Sequence, residues 1–289
     1  ALRGEPFSTW AGPVDVALGM DYRKDEIEQT ADALQYARAY TISNRQPLDA
    51  ALNSIEGFAE VNLPLVSDSF IESLDLNAAA RFTNYSTSGS VTTWKVGMVG
   101  QLNSDIRVRG TISRDIRAPA LISLFESGAS QQQVVLDPLN NNAATSITTI
   151  IAGNPDLRPE VARTYTAGVV FTPQWLPGLN ISIDYYAIRI RDAFVTPLAD
   201  QVLRECAAGN QNFCDLVRRD SSTNALTGLL VGPVNAALEK TAGFDFQLDY
   251  RMPAFGGRLD FYALGNYITE LEIDALGSVL RPLNSLNRT

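Results

Sequence analysis

Gly243-Phe244-Asp245-Phe246-Gln247-Leu248-Asp249-Tyr250-Arg251-Met252 is the stretch that decides the fold class. Phe244, Phe246, Leu248, Tyr250 and Met252 occupy every second position, and Gly243, Asp245, Gln247, Asp249 and Arg251 fill the gaps. A period of two belongs to a β-strand, whose successive side chains point to opposite faces. One face is apolar and aromatic; the other is small or charged. About ten residues is also the length a tilted strand needs to cross a bilayer.

The pattern recurs along the chain. Val14, Val16, Leu18, Met20 and Tyr22 alternate with Asp15, Ala17, Gly19, Asp21 and Arg23. Leu74, Leu76, Ala78, Ala80 and Phe82 alternate with Asp75, Asn77, Ala79, Arg81 and Thr83. Ile106, Val108, Gly110 and Ile112 interleave with Arg107, Arg109, Thr111 and Ser113, and Tyr165, Ala167, Val169 and Phe171 with Thr164, Thr166, Gly168, Val170 and Thr172. Weaker runs near 53–63, 91–103, 180–194 and 257–272 bring the expectation to about nine strands. Within 180–194 the phase changes: Ile181 and Ile183 share one face, while Tyr186, Ile188 and Ile190 share the other, so a bulge or a rim is expected there.

The connections alternate too. Short turns fall at 64–68, 103–105, 173–179 and 253–257, and longer segments at 27–52, 86–91, 118–161 and 195–236. Three of these exceed ordinary loop lengths. A soluble half-buried sheet shares the alternation but seldom sorts its loops this way. An outer-membrane barrel does, with short turns on the periplasmic side and long loops outside. The expected fold is therefore all-β, an antiparallel up-and-down transmembrane β-barrel. Val16, Leu18, Leu76, Val108, Val169, Phe244, Phe246 and Leu248 should face lipid. Asp15, Asp75, Arg107, Arg109, Asp245 and Asp249 should face the lumen.

Composition excludes several alternatives. The 289 residues are 45% hydrophobic with a mean hydropathy of −0.03. They hold no apolar run long enough for a membrane helix, whereas a membrane strand needs only alternate apolar residues. The first residue is Ala1, and no basic-then-apolar leader follows it, so any signal peptide is expected to be removed or to lie upstream. A formal charge of −9 opposes nucleic-acid binding. Histidine is absent, which removes the commonest general base and zinc ligand and the serine–histidine pair of a hydrolase. Asp245 and Asp249 share one strand face but stand about 13 Å apart, too far for a glycosidase pair. No phosphate loop or metal-ligand spacing is visible. No catalytic residue, metal or cofactor is expected.

Three stretches then carry a family resemblance. Arg114-Asp115-Ile116-Arg117-Ala118-Pro119, followed by Leu124-Phe125, ends a strand and opens a long loop. Gly153-Asn154-Pro155-Asp156-Leu157-Arg158-Pro159-Glu160 closes that loop and leads into Thr164-Tyr165-Thr166-Ala167-Gly168. Leu179-Asn180-Ile181-Ser182-Ile183-Asp184-Tyr185-Tyr186 opens the next strand. In this order and spacing they resemble the later barrel strands of TonB-dependent outer-membrane receptors. Glu239 to Asp245, and Tyr85-Ser86 with Gly89 and Lys95, are similar to further strand starts of that family.

The resemblance implies a part of a larger, about 22-stranded barrel in the bacterial outer membrane. It implies outer-membrane lipid as surroundings, a small-molecule nutrient as ligand, and the TonB system as partner through a plug domain. Neither a plug domain nor a TonB box is visible in these residues, and the last ones, Asn287-Arg288-Thr289, lack a terminal aromatic, so an internal barrel segment is expected. The rival is a passive porin or structural barrel, which only the motifs around Arg117 and Glu160 disfavour.

Pro119, Pro155 and Pro159 suit places where a strand stops, because proline fixes φ and lacks an N–H. Arg117 and Glu160 should lie near the same rim on adjacent antiparallel strands, either as an ion pair that fixes the loop base, worth little if exposed, or as two solvated rim charges. Candidate ligand-facing residues are Tyr36, Tyr40 and Arg45 in the first long loop, with the amide-rich segments Gln131-Gln132-Gln133 and Asn140-Asn141-Asn142 in the second. Cys206 and Cys214, the only two cysteines, lie in one long loop with seven residues between them, and an oxidising compartment would pair them.

Overall fold

The computed structural model describes residues 1–41, 44–276 and 278–281. In chain order the strands are β1 (Leu2–Thr9), β2 (Gly12–Gln29), β3 (Leu48–Ser67), β4 (Ser73–Tyr85), β5 (Gly89–Asn103), β6 (Ile106–Arg117), β7 (Ser127–Asp137), β8 (Ala143–Ala152), β9 (Glu160–Phe171), β10 (Leu179–Val195), β11 (Val217–Arg219), β12 (Leu226–Val231), β13 (Val234–Ala254), β14 (Gly257–Ala275) and β15 (Ser278–Leu280). Short helices lie in the connections: α1 (Ala33–Tyr36), α2 (Leu121–Phe125), α3 (Ala199–Ala207) and α4 (Gln211–Cys214). No helix among the described residues is long and apolar enough to cross a membrane.

Eleven strands form one antiparallel sheet in the order β1-β2-β3-β4-β5-β6-β9-β10-β13-β14-β15. Each of the nine expected runs is a strand of it. The two additional strands lie at its edges. In β1 a register break between Gly4 and Phe7 interrupts the alternation, and β15 is only three residues long. The irregularity expected within 180–194 is present near the rim: β10 stays in register with β9 from Ile181 to Arg191, and its register with β13 shifts between Ile190 and Phe194. It does not fall between Ile183 and Tyr186, where the apolar residues change face. Tyr186, Ile188 and Ile190 simply put apolar groups on the otherwise polar face. The 86–91 connection also tightens to residues 86–88.

Register settles the faces. Val61 and Leu63 on β3 carry the row from Val16 on β2 to Leu76 on β4; Leu76 pairs with Met98 on β5, and Gly100, two residues on, pairs with Val108 on β6. Val108 then lies opposite Val169, Val169 opposite Ile183, and Ile183 opposite Phe246. All eight apolar residues expected on one face share it, and Leu18, Val169 and Phe246 are exposed there rather than buried under a second layer. Asp15, Asp75, Arg107, Arg109, Asp245 and Asp249 share the other face by the same pairings.

Strand parity sorts the connections. The turns after β1, β3, β5, β9 and β13 meet at one end, stitched by main-chain bonds such as Thr172 N to Asp105 O at 2.8 Å and Arg251 N to Gly178 O at 3.0 Å. Their tips hold up exposed aromatics: Trp10, Phe70, Trp175 and Phe255. The long segments 30–47, 118–159 and 196–233 meet at the opposite end.

These long segments are not solvated coils. β7, β8, β12 and β11 form a second sheet above the first, in the order β11-β12-β8-β7. β8 belongs to one long connection and β12 to another, and they pair in parallel from Gly228 opposite Thr148 to Val231 opposite Ile151. This cap has its own core of Val135, Ile147, Val202, Leu203, Phe213, Leu226, Leu229 and Val231, all buried.

Candidate functional site

The motif residues meet at the base of the 118–159 connection. Leu124 on α2 and Leu157 are fully buried against each other and Leu52, with Tyr85, Phe125 and Phe194 packed around them. Gly153 N donates to Glu126 O at 2.8 Å and Asn154 N to Ser123 O at 2.9 Å, which closes α2 onto the Gly153–Glu160 stretch. Side chains extend the node to the neighbouring hairpin: Asn154 Nδ2 donates to Pro233 O at 3.0 Å, and Asn235 Nδ2 to Arg158 O at 2.8 Å. A Cβ on Gly153 would stand 2.5 Å from the backbone of Leu124 and Phe125. Backbone cannot swing aside as a side-chain tip can, so Gly153→Ala should lift α2 and cost about 1–3 kcal/mol. Protease sensitivity of the 118–159 segment in the folded protein would measure this; wild-type resistance would refute it.

Arg117 and Glu160 are direct register partners. Arg117 Nη2 lies 2.6 Å from Glu160 Oε1. The geometry differs from a solvated rim pair in one respect, because Glu160 is 4% exposed while its partner reaches into solvent. The same carboxylate oxygen accepts from Phe194 N at 2.5 Å, and the Arg117 guanidinium stacks over the Phe194 ring. Glu160 therefore clamps the ends of β6, β9 and β10 together.

The cap rests on a second ion pair. Asp137, 2% exposed, accepts from Arg219 in a fork of 2.6 Å and 2.9 Å. Those bonds hold the Asp137 carboxyl below the usual carboxylate range. Helix α3 turns Ala199, Val202, Leu203 and Cys206 onto the cap core, the i, i+3, i+4, i+7 set of a helical face. Cys206 is bonded to Cys214 of α4, with Cα atoms 4.6 Å apart. A bridge closing so short a loop stabilises by about 2–3 kcal/mol in the chain-entropy model. Cys206→Ser with Cys214→Ser should therefore raise hydrogen exchange in α3 and α4 only, and thiol labelling of the unreduced protein should find nothing to react with.

Tyr36, Tyr40 and Arg45 lie on the 30–47 strap beside the cap. Asp32 caps α1 with bonds to Leu34 N and Gln35 N, leaving Tyr36 exposed at the helix end. Buried Asn44 fixes the segment: its side chain brackets Tyr40 through main-chain N and O, and its backbone bonds Ser130 on β7. Tyr40 and Arg45 project outward on either side of it. No hydrogen bond or ion pair among the described residues links the three side chains. They are presented separately along a strap held by the cap edge.

On the polar face, Arg109 grips Asp184 with bonds of 2.7 Å and 2.6 Å. The two sit on strands that do not touch, with Gly168 of β9 between them in register. A Cβ at Gly168 would fall 1.9 Å from Asp184 Oδ1, so the missing side chain is what lets the pair bridge two strand spacings. Asp245, opposite Asp184, accepts from Asn266 Nδ2 at 2.8 Å. Arg81 pairs with Glu56 at 2.9 Å. Neither Asp184 nor Gly168 stands out in the sequence as part of an ion pair. Only the register of β6, β9 and β10 brings them to Arg109.

The family model for the TonB dependent receptor-like β-barrel matches residues 2–287. No curated protein matches the chain. Among solved structures it is similar to the siderophore receptor PirA from Acinetobacter baumannii, at 18% identity and a TM-score of 0.61, over 91% of this chain and 35% of that one. It is also similar to a mutant ferric enterobactin receptor, PfeA from Pseudomonas aeruginosa, in complex with enterobactin, at 13% identity and a TM-score of 0.65, over 93% and 38% of the two chains. The RagAB peptide importer matches at 15% identity and a TM-score of 0.56, over 91% and 28%. The chain thus spans between a third and two fifths of the length of these siderophore receptors. With the family matched over nearly its whole length, the chain belongs to the TonB-dependent receptor β-barrel family.

Proposed function

We propose that this chain is the barrel segment of a bacterial outer-membrane receptor that binds a scarce small nutrient at its long-loop end and imports it with energy from the TonB system through a plug domain. The observation that carries this is the family match from residue 2 to 287. The cap supports it, since a roof tied to the strand ends by Asn235 and Asn154 couples outer loops to the barrel. In this placement the long-loop end is extracellular, the short turns are periplasmic, and the apolar face lies in lipid. Iron–siderophore complexes are the favoured ligand class, because siderophore receptors recur among the similar structures. Tyr36, Tyr40 and Arg45 would make first contact, offering rings and a cation to a polar, anionic ligand.

Growth of a deletion strain on a panel of iron chelates, oligosaccharides and peptides tests the function. Loss on one iron chelate, restored by the wild-type receptor, is the expected result. A variant with Tyr36, Tyr40 and Arg45 all replaced by Ala should need at least tenfold more of that chelate. Unimpaired growth on every iron chelate, or passive size-limited uptake of all solutes, would overturn the proposal.

A further inference from the structure

The outer wall of the barrel, apolar over most of its height, carries a row of like charges near the long-loop end. Arg114 on β6 lies opposite Arg163 on β9, Arg163 opposite Arg189 on β10, and Arg189 opposite Lys240 on β13. Each is two positions beyond a lipid-facing residue, Ile112, Tyr165, Ala187 and Ala242 respectively, and so points the same way. Arg191, two positions further along β10 and paired with Val161, adds a fifth cation above Arg189.

Height places this row at a boundary. From Leu179 to Arg189 along β10 is about 33 Å, or about 25 Å along the membrane normal at the usual tilt, which matches the apolar band of an outer-membrane barrel. Tyr165, exposed directly below Arg163, is where an interfacial aromatic belongs. The cations therefore stand level with lipid headgroups on the long-loop side.

Like charges set directly opposite one another destabilise a sheet, and the chain offsets only one end of the row. Glu272 on β14 takes Lys240 at 2.7 Å and Arg281 at 2.8 Å, with Glu270 on the same face. Arg114 donates to the Thr92 carbonyl. Among the described residues no carboxylate lies within 4.0 Å of Arg163 or Arg189, and both are exposed. Neighbouring strands set the backbones that carry these arginines about 5 Å apart, and planar guanidinium forks suit phosphate oxygens better than a point charge would.

We propose that Arg114, Arg163, Arg189 and Arg191 form a binding site for the phosphate groups of a phosphorylated glycolipid in the outer leaflet. Its acyl chains would lie along Tyr165, Val169 and Ile183. The site rests on the lipid-facing wall and is independent of which nutrient the receptor imports. The detergent-solubilised intact receptor, titrated with diphosphorylated lipid A in mixed micelles, tests it. Arg163→Gln with Arg189→Gln should weaken binding at least tenfold. Arg107→Gln with Arg258→Gln, which removes the same charge elsewhere, should change it less than twofold. Phosphatidylglycerol should bind at least tenfold more weakly than lipid A. Equal losses in both paired variants, equal binding of the two lipids, or no binding of lipid A by the wild type would each overturn the site. A folded barrel is verified for each variant by its heat-dependent gel mobility. If the glutamine pair does not fold, each single replacement is read instead, with a loss of threefold or more expected and unchanged binding counting against the site.

Discussion

Arg219→Met is expected to loosen the cap by about 3–5 kcal/mol while the barrel strands stay intact. Asp137 is almost fully buried and spends both carboxylate oxygens on Arg219. With the cation gone, a buried carboxylate remains with only the Leu139 N–H as donor, at 3.2 Å. Arg219 also closes its own hairpin by donating to Asn224 O at 3.1 Å. Hydrogen exchange of the intact receptor should show protection lost in β7, β8 and β12 and kept in β6, β9 and β10. Replacing both partners, Asp137→Leu with Arg219→Met, should recover most of the loss, since no charge is then stranded. Wild-type protection in the single variant would sink the account.

The same pair fixes a pH response. The Asp137 carboxyl titrates below its ordinary value in the folded cap because Arg219 donates to its charged form. Its contribution is complete above the unfolded value of about 3.9 and fades as pH falls through the lower folded value. Cap protection should hold from neutrality down to about pH 4 and decline only below it.

Val169→Arg should destabilise the barrel in lipid by about 2–4 kcal/mol, the cost of an arginine near the bilayer midplane. Val169 lies two residues before the end of β9, exposed between Val108 and Ile183 on the apolar face and near the middle of the apolar band that runs from Leu179 to Arg189 on β10. Thr166→Arg, three residues away on the opposite face, meets a wet lumen and should cost under about 1 kcal/mol. Denaturant titration of the intact receptor refolded into phosphatidylcholine vesicles would separate the two. Equal effects would remove the distinction between the two faces, and a larger loss for Thr166→Arg would mean that they have been assigned the wrong way round.

The barrel was legible because each strand repeats its own signal. Ten residues around Phe246 or Val169 carry enough alternation to be recognised without their neighbours. The cap was not, for the opposite reason. β8 and β12 find each other across 80 positions of sequence, and parallel pairing leaves no turn signature between them. In β7 the run Gln131-Gln132-Gln133 looks like a solvated loop, yet Gln133 is bonded to Thr149 across the hairpin. One local clue was available: Ala199, Val202, Leu203 and Cys206 spell a helical stripe within a segment read as polar loop. At the candidate site, spacing brought Arg117 to Glu160 and left Cys206 eight positions from Cys214, and the structure joins both pairs. What spacing could not supply was Arg219 with Asp137, or Arg109 with Asp184, because side chains from distant hairpins meet only once register is set.

The parallel pairing of β8 with β12 also imposes an order in time. Those strands hang from hairpins that flank β9 and β10, so neither reaches the other until β6, β9, β10 and β13 are already side by side. Closing a loop of such length comes late and only after its anchors are fixed. The cap is thus a finishing step, and the appearance of a protease-resistant 118–159 segment during insertion would mark a barrel wall that has already zipped from β6 to β13.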